Sequence, residues 1–173
     1  MKQIPKNWFV FYTKSRQEKK VFEFLTKHGF EVFLPLQKVM RQWSDRKQKV
    51  EVPLFNSYIF VFESEAKIPS ILQTPGVAWN IRHNNKPAVL HPEELETIRR
   101  FLSSGLLLES RQLEKLEPGD PVQVMDGPLK GMLGALIKTL EGDKFTVALE
   151  SIGQTMLVRL DPAVLRKNPD KAK

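Results

Sequence analysis

Residues 50–63 read VEVPLFNSYIFVFE. After the break at Pro53–Ser57 a strand begins that is apolar on both sides. Side chains alternate along a strand, so Tyr58, Phe60 and Phe62 point one way while Ile59 and Val61 point the other. One of these faces covers the core of its own domain. The other needs a cover that the segment does not name: helices on both faces, a loop folded over the patch, or a partner.

The neighbours of this strand set the fold class. WFVFY at 8–12 reads as a short buried strand by length and aromatic content. Ser15 followed by Glu18 reads as a capping box opening a helix with Val21, Phe22, Phe24 and Leu25 on its apolar face and Gly29 as its stop. Arg16, Lys20 and Lys27 share the opposite face, with Lys19 beside them. EVFLPLQKVM is a strand bent at Pro35, and RQWSDRKQKV is a hairpin tip turning at Ser44 and Asp45. KIPSILQT is a short helix or loop, and PGVAWNIR a strand after a Pro-Gly turn. HPEELETIRRFLSSG is a helix with Pro92 near its start and Gly105 at its end. The order β-α-β-β-β-(short helix)-β-α predicts an α+β domain with a mainly antiparallel sheet over residues 1–104.

The stretch 105–117 reads as a linker. From Pro118 the pattern changes to short alternating strands broken by DGP, EGD and SIGQ turns, and predicts a small five-stranded, curled β-barrel over 118–168. Residues 169–173 form a tail expected to be disordered.

Charge divides the chain at the same place. Residues 1–104 carry 17 Lys and Arg against 10 Asp and Glu, whereas residues 105–173 carry 10 against 10. The first half therefore holds the whole net charge of +7 and is the half suited to an anionic partner, a solubilising surface being the alternative. The hairpin alone places five bases and one acid within residues 38–49, together with Trp43; this could grip a phosphate backbone or be a solvated tip.

Catalysis finds no support. His28, His83 and His91 are scattered, Asp126 and Asp143 look like turn residues, and no phosphate-binding glycine loop occurs. No cofactor or metal is expected. The chain has no cysteine, so disulfides and thiolate chemistry are excluded. Its apolar runs are too short to span a bilayer and MKQIPKNWFV lacks a signal-peptide stretch, so a cytoplasmic, membrane-independent and monomeric binding protein is expected.

WFVFYTKSRQEKKV, VPLFNSYIFV and TPGV, in that order, resemble the amino-terminal (NGN) domain of NusG-type transcription elongation factors. PGDPVQVMDGPLKGMLGALIK is similar to their KOW domain, an SH3-like barrel, with Gly127, Pro128, Gly131 and Gly134 carrying the motif. The resemblance implies docking on the clamp helices of RNA polymerase through Tyr12, Phe55, Tyr58 and Phe60. It implies contact with the exposed non-template DNA strand through Lys14, Arg16, Gln17 and Lys20, with Lys67, Ser70 and Thr74 facing the cleft. Pro75 stands where RfaH-like members carry a basic residue, so sequence-specific reading through that segment is not implied. KOW contacts with a ribosomal small-subunit protein would use Leu129, Met132 and Ile152. Gly153 occupies a place where housekeeping NusG has a Phe, which argues against binding the Rho terminator. The hairpin resembles the UpxY branch, antitermination paralogues tied to capsular polysaccharide operons. Alternatives are a housekeeping NusG and, in another class, an RNA-binding or ribosome-associated KOW protein.

Overall fold

The computed structural model describes residues 2–168 and Asp170, so the expected disorder of 169–173 falls, Asp170 apart, outside the described residues. The chain divides into two compact units, Met1–Leu95 and Glu96–Lys173.

In the first unit the elements follow as β1 (Lys6–Thr13), α1 (Glu18–Lys27), β2 (Glu31–Phe33), β3 (Leu36–Gln42), β4 (Lys47–Pro53), β5 (Tyr58–Ser64), a single 3-10 turn, α2 (Ile68–Leu72), β6 (Val77–Asn80), β7 (Arg82–His83), β8 (Lys86–Pro87) and β9 (Val89–Leu90). The main sheet runs β2-β5-β1-β6, with β9 also on β1. Its pairings are all antiparallel, as the hairpin-rich pattern predicts. β3 and β4 pair only with each other, from Leu36↔Pro53 to Gln42↔Lys47, and project as a separate hairpin. Pro35 separates β2 from β3, since it lacks the N–H a continuing ladder needs.

One sheet face is closed. Phe9 and Phe11 of β1 and Ile59 and Val61 of β5 pack with Val21 and Leu25 of α1 and Ile68 and Ile71 of α2. Each such side chain stabilises the unit by roughly 1.5–3 kcal/mol relative to exposure. Gly76, at φ +94°, lets α1 lie close: a Cβ there would sit 2.8 Å from Val21 Cγ2. α1 differs from expectation at its start. Its N-cap is Gln17, with no side-chain cap, and the Glu18 carboxylate is turned inward rather than back onto Ser15.

α3 (Pro92–Ser103) straddles the division between the units. Its last turns belong with the second unit, where Phe101 stacks on Phe145 at 6.4 Å and Arg100 donates to the Lys130 carbonyl. The boundary expected at 104 therefore moves into the helix. The expected linker also changes. β10 (Leu108–Gln112) pairs along its whole length with β14 (Gln154–Val158), because the Leu106–Leu108 run supplies a buried side chain, Leu108, to that sheet. With β11 (Asp120–Val124), β12 (Leu133–Thr139), β13 (Gly142–Leu149) and β15 (Leu165–Lys167), the sheet has six strands rather than five, in the order β10-β14-β13-β12-β11-β15. Gly134 permits the close crossing of β12 over β13: a Cβ would lie 2.3 Å from the Thr146 carbonyl oxygen and 2.6 Å from Phe145 Cε2.

Candidate functional site

The second face of the first unit's sheet is built from rings. Strand register sets Trp8 opposite Phe62, Val10 opposite Phe60 and Tyr12 opposite Tyr58 on β1 and β5, while Phe33 of β2 lies opposite Phe60 and Trp79 of β6 opposite Tyr12. Eight rings form an unbroken series: Trp79, Tyr12, Tyr58, Phe55, Phe60, Phe33, Trp8 and Phe62. Most contacts are edge-on or tilted, but Trp79 and Tyr12 stack face to face at 4.4 Å and 7°. Such pairs add roughly 0.5–1.5 kcal/mol beyond burial.

Depth divides the series. Phe55 and Phe60 are fully buried, Phe60 beneath the rings of Phe55 and Phe33. Tyr12 and Tyr58 are half-buried, and Trp79 is 51% exposed. Of the four residues expected to dock, Tyr12 and Tyr58 reach the surface. Phe55 is buried against the Tyr58 ring, and Phe60 is buried against Phe55. Trp79 was not expected. VAWN gives no sign of its role; only the pairing of β6 with β1 places it on Tyr12.

The loop carrying Phe55 and Tyr58 is fixed from α1. Ser57, in the left-handed region at φ 65°, donates its N–H to Glu18 Oε1 at 2.8 Å, and its carbonyl accepts from Thr13 N at 2.8 Å. The Glu18 carboxylate is buried here and takes an N–H that would otherwise lose its partner on folding. Leu54 N donates to the Pro35 carbonyl at 2.9 Å and Tyr58 N to the Phe55 carbonyl at 3.3 Å, so both ends of the loop are held. Thus the acid that reads locally as a cap acts across 39 residues of sequence to set two rings of the face.

Beside this loop lies the basic start of α1. Lys14, Arg16 and Lys20 are exposed and Gln17 is half-buried. Lys14 N donates to the Gly76 carbonyl at 2.8 Å, which brings these residues to the turn that follows Thr74. Thr74 itself is buried and cannot present its side chain outward. Lys67 is exposed at the start of α2 and Ser70 is exposed at its middle.

In the second unit, Leu129, Met132 and Ile152 are buried in the unit's own core. The exposed apolar side chains nearby are Met125 and Leu133, which the motif did not single out. Gly153 adopts φ 64°, a conformation a Phe would enter only under strain. Lys144 is buried on β13 with its ammonium held by Glu109 at 2.5 Å and Glu141 at 2.9 Å. These hydrogen bonds, Glu109 first and then Glu141, raise the Lys144 pKa against the opposing effect of burial. The same hydrogen bond from Lys144 lowers that of Glu141. Among the described residues no cluster of His, Cys, Asp and Glu could hold a metal ion, and no helix is long and apolar enough to cross a membrane.

Comparison with known proteins places these features in a family. The family model described as "Transcription termination factor nusG" matches residues 6–99, more than half of the chain. Among solved structures the chain is similar to the NusG of Thermotoga maritima, in a study titled for its domain interaction, at a TM-score of 0.57 and 20% identity, covering 94% of this chain and 97% of that one. A second, the MjSpt4:Spt5 complex in conformation B, matches at a TM-score of 0.32 and 16% identity over 92% of this chain and 95% of that one. No curated protein matches.

Proposed function

Because the chain belongs to the NusG family, whose members are transcription factors and not enzymes, we propose that it is an elongation factor that rides on RNA polymerase through the ring-built face of its first unit. The partner surface is the helical coiled coil of the polymerase clamp, packed against Trp79, Tyr12 and Tyr58. The observation that carries this reading is the graded depth of the rings. Two buried phenylalanines hold the half-exposed tyrosines and Trp79 at fixed height, an arrangement suited to an anchor residue rather than to a core. With the clamp held, Lys14, Arg16 and Lys20 face the displaced non-template strand and contribute salt-dependent contacts to its backbone. The second unit, a KOW-type SH3-like barrel in this reading, tethers a further factor such as a ribosomal small-subunit protein through its loops, and the whole works in the cytoplasm.

Within the family the protein acts as a specialised antiterminator of the UpxY kind, keeping polymerase processive through the leader of a polysaccharide operon. The basic hairpin and Gly153 in place of an aromatic anchor support this over a housekeeping role. The test is the Tyr12→Ala, Trp79→Ala double variant, since replacing buried Phe60 would test folding instead. At hot-spot strength of about 2 kcal/mol or more, affinity for core polymerase falls at least about 30-fold while the unit stays folded. In the host, occupancy on DNA is confined to a few long operons and disappears in the variant. Undiminished polymerase binding by the folded variant overturns the docking face; occupancy on nearly every transcribed gene overturns the specialised role.

A further inference from the structure

The β3–β4 hairpin is the part of the first unit that the docking face does not use. It pairs with no other strand, so both its edges and its tip are free of the main sheet. Lys38, Arg41, Arg46, Lys47 and Lys49 lie on it, and among the described residues none of them forms an ion pair. Register puts Met40 opposite Lys49 and Gln42 opposite Lys47, so Lys47 and Lys49 share one face with Lys38. Neighbours on that face are spaced roughly 7 Å apart, comparable to the phosphate repeat of an extended single strand. At the tip Trp43 is 55% exposed, its backbone N–H donating to the Arg46 carbonyl, and Met40 behind it is 57% exposed.

Lysines alone on a free strand edge have an ordinary purpose, to keep edges from pairing with other chains. That purpose does not account for a tryptophan at the tip, which works against it. At its base the hairpin meets α1. Lys19 Nζ donates to the Glu51 carbonyl at 2.7 Å, and a cleft of about 450 Å³ opens there between Arg16, Lys19, Arg41, Asn56 and Ser57. Cations therefore lie in two places, Arg16, Lys19 and Arg41 lining the cleft beside Glu18, and Arg46, Lys47 and Lys49 near the aromatic tip.

We infer that the β3–β4 hairpin is a nucleic-acid-binding arm in its own right. It grips the backbone of an unpaired strand with Arg46, Lys47 and Lys49 and stacks Trp43 on an exposed base. This chemistry is common to single-stranded DNA and RNA. It does not depend on polymerase docking, so the two readings fail separately.

The experiment is fluorescence anisotropy of the full chain with labelled oligonucleotides of about 12 nucleotides, as single-stranded DNA, RNA of the same sequence, and duplex, between about 50 and 200 mM salt. R46Q/K47Q/K49Q reduces the slope of log affinity against log salt by about 2 for the single strands, near 0.7 for each phosphate lost. Trp43→Ala weakens single-strand binding about 5- to 150-fold and leaves duplex binding unchanged. A preference for DNA or for RNA identifies which source the arm meets, and either supports the inference. Parent-like affinity and slope in both hairpin variants, or tighter binding to duplex than to either single strand, overturns it.

Discussion

The two units build with different apolar residues, rings in the first and mainly aliphatic side chains in the second. The first closes one sheet face with helices and leaves the other as rings of graded depth, Phe60 at the bottom and Trp79 at the surface. The second buries most of its apolar side chains, including the three residues that motif comparison offered as contacts, holds a lysine among them, and leaves Leu107, Met125, Leu133 and Leu140 exposed. A large ring can be partly covered and still offer area to a partner, whereas a small unit with a thin core draws its packing from whole aliphatic side chains. Met125 and Leu133, loop neighbours of those buried residues, are exposed.

The contrast can be broken most strongly at Phe60. Phe60→Ala removes a fully buried ring beneath two others and destabilises the first unit by about 3–5 kcal/mol. Trp79→Ala, at the top of the same series, changes stability by less than about 1 kcal/mol because its ring is half in water already. Urea unfolding followed by tryptophan fluorescence measures both, since all three tryptophans lie in the first unit. Equal losses would show that the ring series is one core, with no outward part.

A smaller effect is expected in the second unit at Gly134→Ala. The new Cβ meets a backbone carbonyl and the Phe145 ring, so β12 has to move away, at a cost of about 1–3 kcal/mol. Calorimetry resolves this, with the lower transition of the variant assigned to the second unit and the fluorescence transition unmoved.

The smallest effect concerns pH. Glu141 has a pKa below its ordinary 4.5 in the folded state, so its contribution is present above that value and is lost as pH falls through the folded pKa. Lys144 has a pKa above its ordinary 10.5, so its contribution is full below that value and is lost as pH rises through the folded pKa. The second unit is thus steadiest between these limits. Lys144→Met, which replaces a buried charge with an apolar chain of similar length, changes stability little at neutral pH and flattens the acid limb. An acid limb unchanged in the variant would assign it to other carboxylates.

The amino-acid sequence determined the local features by itself. Alternation in YIFVF and WFVFY fixed the two faces of β5 and β1, Pro35 split β2 from β3, Gly29 ended α1, and turn residues set the hairpins. These depend on period and on backbone freedom, which neighbours in sequence already contain. Tertiary structure decided depth and long-range partnership. Period 2 tells which side of a strand a residue is on and not how much lies above it, so Phe60 and Tyr58 read alike while one is buried and the other reaches solvent. Glu18 found Ser57 instead of Ser15, and Leu108 found β14 instead of remaining in a linker. Trp79 joined a series of rings only because β6 lies beside β1. Each was settled by which distant groups the folded chain brings within a few ångströms, where burying an unpaired N–H or leaving a ring bare is the costlier choice.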